Sequence, residues 1–257
     1  MTTIAPQTRA VGHYRLANVV GMEWVKLRSL RSTWLTLAVT VVGAAGIALD
    51  VGRSTENASG DLTNDVLAGI APGLLLTGVL GVMVMTSEYS SGMIRLTLAA
   101  APHRRGLLAA KAAVFAAVAT VVGEVAAFLA FLVGGTALPD SVPAPELSQP
   151  GVLRALVLAG AGYCLIGLVG LGLGAVIRHA PAAIGVLVAG VYVGAQLFGL
   201  LAESAMGYAP VSIVANSLSV ANPLPDMPSP WTGLGVLCLY AALALGIGGW
   251  LLERRDA

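Results

Sequence analysis

Charged residues are scarce in this 257-residue chain, because Asp, Glu, Lys and Arg together make up only 11% of it. A soluble domain usually contains about twice that share, so the composition excludes the ordinary soluble class. Apolar residues make up 57% of the chain, and its net charge is +1. A chain this apolar and this close to neutral is predicted to be an integral membrane protein with no nucleic-acid partner.

Motifs for catalysis and for cofactor binding are missing as well. The three histidines lie far apart, no HExxH motif occurs, and the two cysteines do not have the spacing of a metal site. A nucleotide-binding P-loop needs Gly-Lys followed by Ser or Thr, yet Lys26 follows Val25 and Lys111 follows Ala110. We therefore expect this chain to have no enzyme activity, no ATPase site and no cofactor of its own.

Six long apolar runs are the main positive feature of the sequence. A bilayer core of about 30 Å requires about 20 apolar residues of helix. The runs are continuously apolar, whereas the strands of a membrane barrel would alternate between apolar and polar residues. The sequence therefore predicts an all-α protein with a single membrane domain over residues 1–257. Its six predicted transmembrane helices cover residues 33–49, 66–85, 107–133, 153–177, 181–201 and 232–252.

Positive charges are unevenly distributed between the two sets of loops. Twelve of the fourteen Lys and Arg residues lie on one side of the predicted spans, and Arg53 and Arg154 are the exceptions. Short cytoplasmic loops retain Lys and Arg, so this side is predicted to face the cytoplasm. Both termini are then cytoplasmic, and the plasma membrane is the expected location.

A mixed segment over residues 13–32 precedes the first apolar run. Leu16, Val20, Trp24 and Leu27 fall on one stripe of a helical wheel, with polar residues opposite, which predicts an amphipathic helix at the membrane interface. Such a helix could anchor the chain or contact a partner, and the sequence leaves both roles open. The candidate functional residues of this interfacial helix are Glu23, Trp24, Lys26 and Arg28.

The loop between the second and third runs, residues 86–111, reads TSEYSSGMIRLTLAAAPHRRGLLAAK. It is short and basic, and Gly92 permits a sharp change of direction. Arg104, Arg105 and Lys111 are expected at the lipid headgroups. Charge alone allows two interpretations, a topological anchor and a docking element for a soluble partner. In the second, the contact residues are Glu88, Tyr89, Gly92, Ile94, Arg95, Leu96 and Leu98.

Polar residues inside the predicted spans are candidates for function, because a charge at mid-helix is unfavourable by about 3 kcal/mol. Glu124 in the third span and Gln196 in the fifth lie at similar depths and could line a substrate path. We expect Glu124 to pair with Arg154 at the start of the fourth span, with a proton relay as the alternative. Gly170 and Gly174 form a GxxxG pattern, which favours helix packing or dimerisation.

The connection over residues 202–230 is long and rich in Pro and Ser. Its middle, residues 211–220, is too apolar for a freely solvated loop. We therefore predict a re-entrant element between the fifth and sixth spans, with a plain extracellular loop as the alternative.

The whole chain resembles the permeases of the type-2 ABC transporter superfamily. Three features carry the resemblance: the pre-span segment GMEWVKLRSLRSTW, the loop TSEYSSGMIRLTLAAAPHRRGLLAAK, and the six-span plan with a long last external loop. The resemblance implies that the loop forms a coupling helix seated on a separate ATP-binding subunit, which uses ATP and Mg²⁺. It also implies a second permease copy or a paralogue, export as the direction, and Thr77 and Gln196 on the translocation path.

Two other classes of function stay open on the sequence. A secondary transporter driven by an ion gradient would be centred on Glu124. A membrane anchor or sensor would bind a soluble partner without moving a substrate. For a transporter, the mostly apolar interior favours an amphiphilic substrate such as a lipid or a drug.

Overall fold

The computed structural model describes residues 16–56, 60–100, 103–194, 206–221 and 227–255. Over these residues the chain is helical and contains no strand, so the prediction of an all-α protein is confirmed. Five helices are long and apolar enough to cross a membrane. These helices indicate a multi-pass membrane protein.

The described helices are numbered α1 to α10 in chain order. The five long helices are α2 (Arg31–Ser54), α4 (Ile70–Ser90), α6 (Arg104–Ala137), α7 (Val152–Ile177) and α10 (Pro230–Arg254). The shorter helices are α1 (Leu16–Ser29), α3 (Leu62–Val66), α5 (Met93–Ala100), α8 (Ala180–Val188) and α9 (Pro210–Leu218). A π-helical turn, Ala189–Val193, continues α8.

The five long helices correspond to the first four predicted spans and the sixth. The predicted fifth span, residues 181–201, is helical from Ala180 to Val193, and its residues 195–201 lie outside the described part of the chain. Gln196 is among those residues. A sixth span therefore stays a prediction.

Helix α7 is the centre of the bundle, because α4, α6 and α10 all pack along it. The contact with α4 is the closest. A Cβ atom added at Gly170 would stand 2.1 Å from the carbonyl oxygen of Gly78, and one added at Gly81 would stand 2.1 Å from that of Gly167. The two helices thus meet backbone to backbone, an arrangement that only small residues permit.

The predicted GxxxG pair belongs to this contact within the chain. Gly170 faces Gly78, and a Cβ atom added at Gly174 would stand 3.0 Å from the carbonyl oxygen of Val82. Both glycines are buried in the described structure. The first of the two expectations for the pair, helix packing, therefore holds, and these positions are not open to a second copy of the chain.

Asp61 joins two connections at one end of the bundle. Its carboxylate accepts hydrogen bonds from the Ser219 hydroxyl at 2.7 Å and from the N–H groups of Val220 at 2.5 Å and Ala221 at 2.7 Å. It also caps α3 by accepting from the N–H of Asn64 at 3.2 Å. Burial by itself raises the pKa of Asp61, but these hydrogen bonds together hold it below its usual value. We call this group of contacts the Asp61 clasp.

Helix α9 lies in the segment that is predicted to be re-entrant. It is mostly buried and packs against α7 and α10. The Asn216 amide donates to the carbonyl of Pro228 at 3.1 Å, and Arg154 Nη2 donates to the carbonyl of Ser219 at 2.7 Å. The apolar middle of the connection is therefore a packed helix, and its entry into the membrane stays a prediction.

Arginines hold the opposite end of the bundle together. Arg104 Nη1 donates to the carbonyls of Leu252 at 2.7 Å and Arg255 at 3.0 Å, and Arg105 forms an ion pair with Glu253 at 2.6 Å. The sequence places Arg104 at the lipid headgroups, whereas in the structure it binds carbonyls at the end of α10. The last carbonyls of a helix have no partner within the helix, which explains this preference.

Candidate functional site

Helix α1 places an acidic residue inside the protein at the end that holds the Arg104 contacts. Its buried residues are Val19, Glu23 and Leu27, whereas Leu16 and Trp24 are exposed. The placement of this helix at the membrane interface stays a prediction. Glu23 faces the bundle, where it reaches the half-buried Lys26 and the buried Lys111, and Trp24 faces outward, as interfacial aromatic residues do.

Glu23 belongs to a group of four alternating charges contributed by three helices. Lys111 Nζ lies 2.5 Å from Glu23 Oε2 and 2.7 Å from Glu88 Oε1. Lys26 Nζ lies 3.1 Å from Glu23 Oε1 and 3.0 Å from Glu88 Oε1. Two carboxylates and two ammonium groups sum to zero charge. We call Glu23, Lys26, Glu88 and Lys111 the charge cluster.

Three of the four residues of the charge cluster are almost completely buried, and Lys26 is partly exposed. Glu23 and Lys111 are each 3% exposed and Glu88 is 6% exposed. Buried ions stabilise a structure only when they are paired and hydrogen-bonded, and removing one partner of such a pair typically destabilises by about 3 to 5 kcal/mol. Glu88 Oε2 is buried and has no hydrogen-bond partner in the described structure, so Glu88 depends on the contacts of its other oxygen.

Lys26 connects the charge cluster to α5. Its third hydrogen bond goes from Nζ to the hydroxyl oxygen of Thr97 at 3.1 Å, which completes the three donors of an ammonium group. Burial by itself lowers the pKa of Lys26, but the charge of Glu23 and the charge and hydrogen bond of Glu88 together raise it above its usual value. Lys26 therefore stays charged and holds α1, α4 and α5 together.

Helix α5 has an inner and an outer face. Ile94 and Thr97 are buried, whereas Met93, Arg95 and Leu96 are exposed, and Leu96 is 73% exposed. The inner face packs on the body of the bundle, and the outer face is exposed. We call Met93, Arg95 and Leu96 the outer face of α5.

The outer face includes only some of the residues that the sequence assigns to docking. Arg95 and Leu96 point outward as a docking role requires. Ile94 is buried, and the half-buried Leu98 packs near Val19 of α1. These two residues hold α5 in place and are not available to a partner in this conformation.

The turn between α4 and α5 has the conformation that its glycine predicts. Gly92 adopts a φ of 70°, in the left-handed region where residues with a Cβ atom are strained. Next to it, the half-buried ring of Tyr89 lies 5.1 Å from the guanidinium carbon of Arg178 at the end of α7. Such a cation–π contact links the end of α4 to the end of α7.

A cavity of about 340 Å³ adjoins the charge cluster. Its wall includes all four residues of the cluster, and its other lining is mostly apolar, with Leu27 and Leu30 on the α1 side, Val84 on α4 and Val114 on α6. Met93 of the outer face also lines it. The region beneath α5 is therefore not tightly filled, which leaves room for α1 and α5 to move relative to α4 and α6.

Glu124 does not form the ion pair that the sequence predicts. Arg154 donates to the carbonyl of Ser219, and no salt bridge joins it to Glu124, both being described residues. The Glu124 carboxyl group instead packs on α7, where an ideal Cβ atom at Gly160 would lie 2.3 Å from Oε1. Arg154 binds the Ser219 carbonyl because the segment after α9 lies beside the start of α7. Glu124 Oε2 is buried without a hydrogen-bond partner.

Of the other two residues expected on the translocation path, the structure describes only Thr77. Thr77 is buried, and its hydroxyl donates to the carbonyl of Gly73 one turn earlier at 2.8 Å. Its methyl group lies near Gly167 of α7, 3.4 Å from an ideal Cβ atom. Gln196 lies outside the described residues. A path-lining role for either residue stays a prediction.

Lys111 and Thr97 are the site residues that sequence reasoning misplaced or missed. The sequence puts Lys111 at the headgroups, but it is buried because Glu23 and Glu88 both face it. Thr97 gave no signal beyond being the one hydroxyl residue within α5. Arg28, in contrast, is exposed as an interfacial residue should be, and its carbonyl accepts a hydrogen bond from the Trp34 indole at 3.0 Å.

No protein-family model matches this chain, and no curated protein is similar enough to indicate its function. Among the described residues, no group of three or more His, Cys, Asp or Glu side chains is placed to hold a metal ion. The arguments for function therefore rest on the charge cluster, on the outer face of α5 and on the unpaired Glu124 carboxyl group.

Proposed function

We propose that the chain is the permease subunit of an ATP-driven exporter, and that α5 docks on a separate ATP-binding subunit. The observation that supports this most is the two-faced α5. Its outer face offers two apolar side chains around one arginine, Met93, Leu96 and Arg95, without a partner. An apolar groove with an acidic residue at its edge is the complementary surface.

The inner face of α5 explains how movement at a docked partner would reach the membrane. Thr97 binds Lys26, and Lys26 binds Glu88 at the end of α4. Glu88 in turn binds Lys111 near the start of α6. A push on α5 is then transmitted to the second and third long helices together, and not to one of them alone.

The remaining parts of the proposal follow from the same assignment. The partner binds ATP and Mg²⁺, and a second copy of this chain or a paralogue completes the translocation path. Both termini lie in the cytoplasm, and the end of the bundle with the charge cluster faces the partner. The excess of Lys and Arg on this side of the spans agrees with a cytoplasmic side. The substrate is amphiphilic, α9 is the re-entrant element on the external side, and the plasma membrane is the location.

A second candidate function rests on Glu124. A buried carboxyl oxygen without a hydrogen-bond partner, in a helix that is apolar enough to span a membrane, marks a functional site in many membrane proteins. In this alternative the chain is a secondary transporter, and Glu124 binds and releases a proton or cation. Glu124→Gln would abolish transport in that case, and transport would need no ATP-binding subunit.

Co-purification tests the docking surface directly. The tagged chain is extracted from its native membrane in a mild detergent, as wild type and as Arg95→Glu and Leu96→Asp. Arg53→Glu is the matched control, because Arg53 is also exposed but lies at the other end of α2. An ATP-binding subunit should accompany the wild type and the control, and both α5 variants should lose it.

Three results would contradict the proposal. If the ATP-binding subunit stays with both α5 variants, α5 is not its docking site. If no ATPase is found in any gentle detergent while transport persists and Glu124→Gln abolishes it, the secondary transporter is correct. A soluble partner without ATPase activity and without substrate movement would indicate an anchor or sensor.

A further inference from the structure

A second cavity lies between α6 and α10, separate from the charge cluster. It is an open groove of about 610 Å³. Small residues line its interior on both helices, namely Ala109 and Ala112 of α6 and Gly246 and Gly249 of α10, while Arg105 and Trp250 lie at one end. The groove exists because α10 packs mainly on α7 and makes fewer contacts with α6.

The groove reaches from the end of the bundle toward its middle. Arg105 is the second residue of α6 and Ala112 is seven residues further along, a distance of about 10 Å along a helix axis. A Cβ atom added at Gly246 meets no other atom within 4 Å, so the groove is open at that point. An apolar chain that enters beside Arg105 would lie along the small residues without displacing a side chain.

Positive charge is concentrated at the mouth of the groove. The guanidinium carbon of Arg254 lies 4.5 Å from the centre of the Trp250 ring, and Arg105 is 70% exposed although it pairs with Glu253. Arg104 also places its guanidinium here, where it donates to the carbonyls of Leu252 and Arg255, so three arginine side chains and one glutamate of the described residues meet at the mouth. The positive end of the α6 dipole and the negative end of the α10 dipole both lie here, so the positive charge of the mouth comes from the arginine side chains.

We propose that this groove is a binding site for an anionic phospholipid. One acyl chain lies between α6 and α10 along Ala109, Ala112, Gly246 and Gly249, and the phosphate group binds the free N–H groups of Arg105 and Arg254. Basic sites between membrane helices recognise acidic headgroups in this way, and Trp250 is an aromatic residue of the kind found at headgroup depth.

A second copy of the chain is the competing occupant, because small residues also favour helix pairs. A two-fold symmetric pair at this groove would bring the same patch of both copies together. Six arginines would then face only two glutamates, counting three and one from each copy. This repulsion favours the lipid as the occupant.

The test uses the full chain in nanodiscs of phosphatidylcholine, with or without phosphatidylglycerol, and native mass spectrometry to count the lipids that stay bound. The wild type should retain phosphatidylglycerol in preference to phosphatidylcholine. Gly246→Leu should fill the groove and reduce retention at least tenfold. Gly235→Leu is the matched control, because Gly235 is also on α10 and a Cβ atom there also meets nothing within 4 Å.

Charge variants separate a specific site from general attraction to an anionic surface. Arg105→Gln and Arg254→Gln should each weaken phosphatidylglycerol retention roughly fivefold. Glu253→Gln should strengthen it, because it frees Arg105 from its ion pair. Arg28→Gln and Arg31→Gln, each made singly at an exposed residue, are the charge-matched controls and should leave retention unchanged.

Four outcomes would overturn the lipid site. Gly246→Leu could bind phosphatidylglycerol like the wild type, or the Arg28 and Arg31 controls could lose as much lipid as the groove variants. A change from dimer to monomer in Gly246→Leu, with lipid retention unchanged, would assign the groove to a second copy. If inorganic phosphate displaced the lipid completely, the site would bind only an anion and would not bind an acyl chain. Unchanged size-exclusion profiles of the arginine variants check that these proteins are folded.

Discussion

The two ends of the bundle are held together by different kinds of contact. At one end, the charge cluster joins α1, α4 and α6 through side chains that bind other side chains, and each ion depends on the opposite ions around it. At the other end, the Asp61 clasp joins one carboxylate mostly to backbone N–H groups. The clasp therefore fixes a loop conformation, whereas the cluster links three helices through their side chains.

This difference suggests which end can move. Backbone N–H groups of a turn cannot reorient without changing the turn itself, so the Asp61 clasp holds its segments in one conformation. Lysine and glutamate side chains have several rotatable bonds, and the cavity of about 340 Å³ beside them leaves room for adjustment. In the proposed exporter, the end that docks the ATP-binding subunit is the adjustable one.

Lys111→Met should have the largest effect, because it leaves Glu23 and Glu88 with one ammonium group between them. We expect a loss of about 3 to 5 kcal/mol, measured as a fall of roughly 10 °C in the Tm of the purified chain. The double variant Glu88→Gln with Lys111→Met restores neutrality and should recover part of the loss. A fall in Tm no larger than that of Arg53→Gln would show that the cluster contributes little.

Asp61→Asn should have a smaller effect at the opposite end. The amide lacks the charge and has one acceptor oxygen fewer than the carboxylate. The Ser219 hydroxyl and the N–H groups of Val220 and Ala221 therefore compete for the one remaining oxygen. We expect a loss of about 2 kcal/mol, with hydrogen exchange increased near α9 and unchanged near α5. Increased exchange at both ends would mean that the two ends are not independent.

The sequence predicts the helices better than it predicts their contacts. Hydropathy locates the five long helices because a bilayer requires long apolar runs, and Gly92 indicates the turn before α5 because few residues adopt its positive φ. Averaging the hydropathy over a long window hides Lys111, because it is a single charge within an apolar helix. Its partners Glu23 and Glu88 lie 88 and 23 residues away, and only the packing of three helices brings them together.

The sequence also does not predict which face of a short helix is buried, or which partner a single ion binds. With eight residues, α5 is too short for its apolar period to show which side faces the bundle, so the burial of Ile94 is known only from the folded structure. The predicted partner of Glu124 was chosen by reach alone. Arg154 lies closer to a free carbonyl, that of Ser219, and binds it instead.

Acid should weaken the Asp61 clasp. The pKa of Asp61 is lowered in the folded protein, so its contribution is complete above the usual Asp pKa of about 3.9 and is lost as the pH falls through the lower folded value. The raised pKa of Lys26 acts at the alkaline side: its contribution is complete below about 10.4 and is lost as the pH rises above that. Tm measured against pH should fall at both extremes, and Asp61→Asn should make the acid limb shallower while the alkaline limb stays unchanged.

Thr97→Val should have the smallest effect on stability and a clear effect on coupling. The substitution keeps the shape of the side chain but removes the oxygen that accepts from Lys26 at 3.1 Å, so we expect a loss of about 1 kcal/mol. Because α5 then loses its polar link to α1 and α4, the proposed exporter should hydrolyse ATP with less substrate moved per ATP, while the ATP-binding subunit still co-purifies. Thr136→Val is the matched control, since the Thr136 hydroxyl donates only to the carbonyl of Val133 within α6. Equal coupling ratios in the two variants would mean that α5 moves the membrane helices through Ile94 and Leu98 packing and not through Lys26.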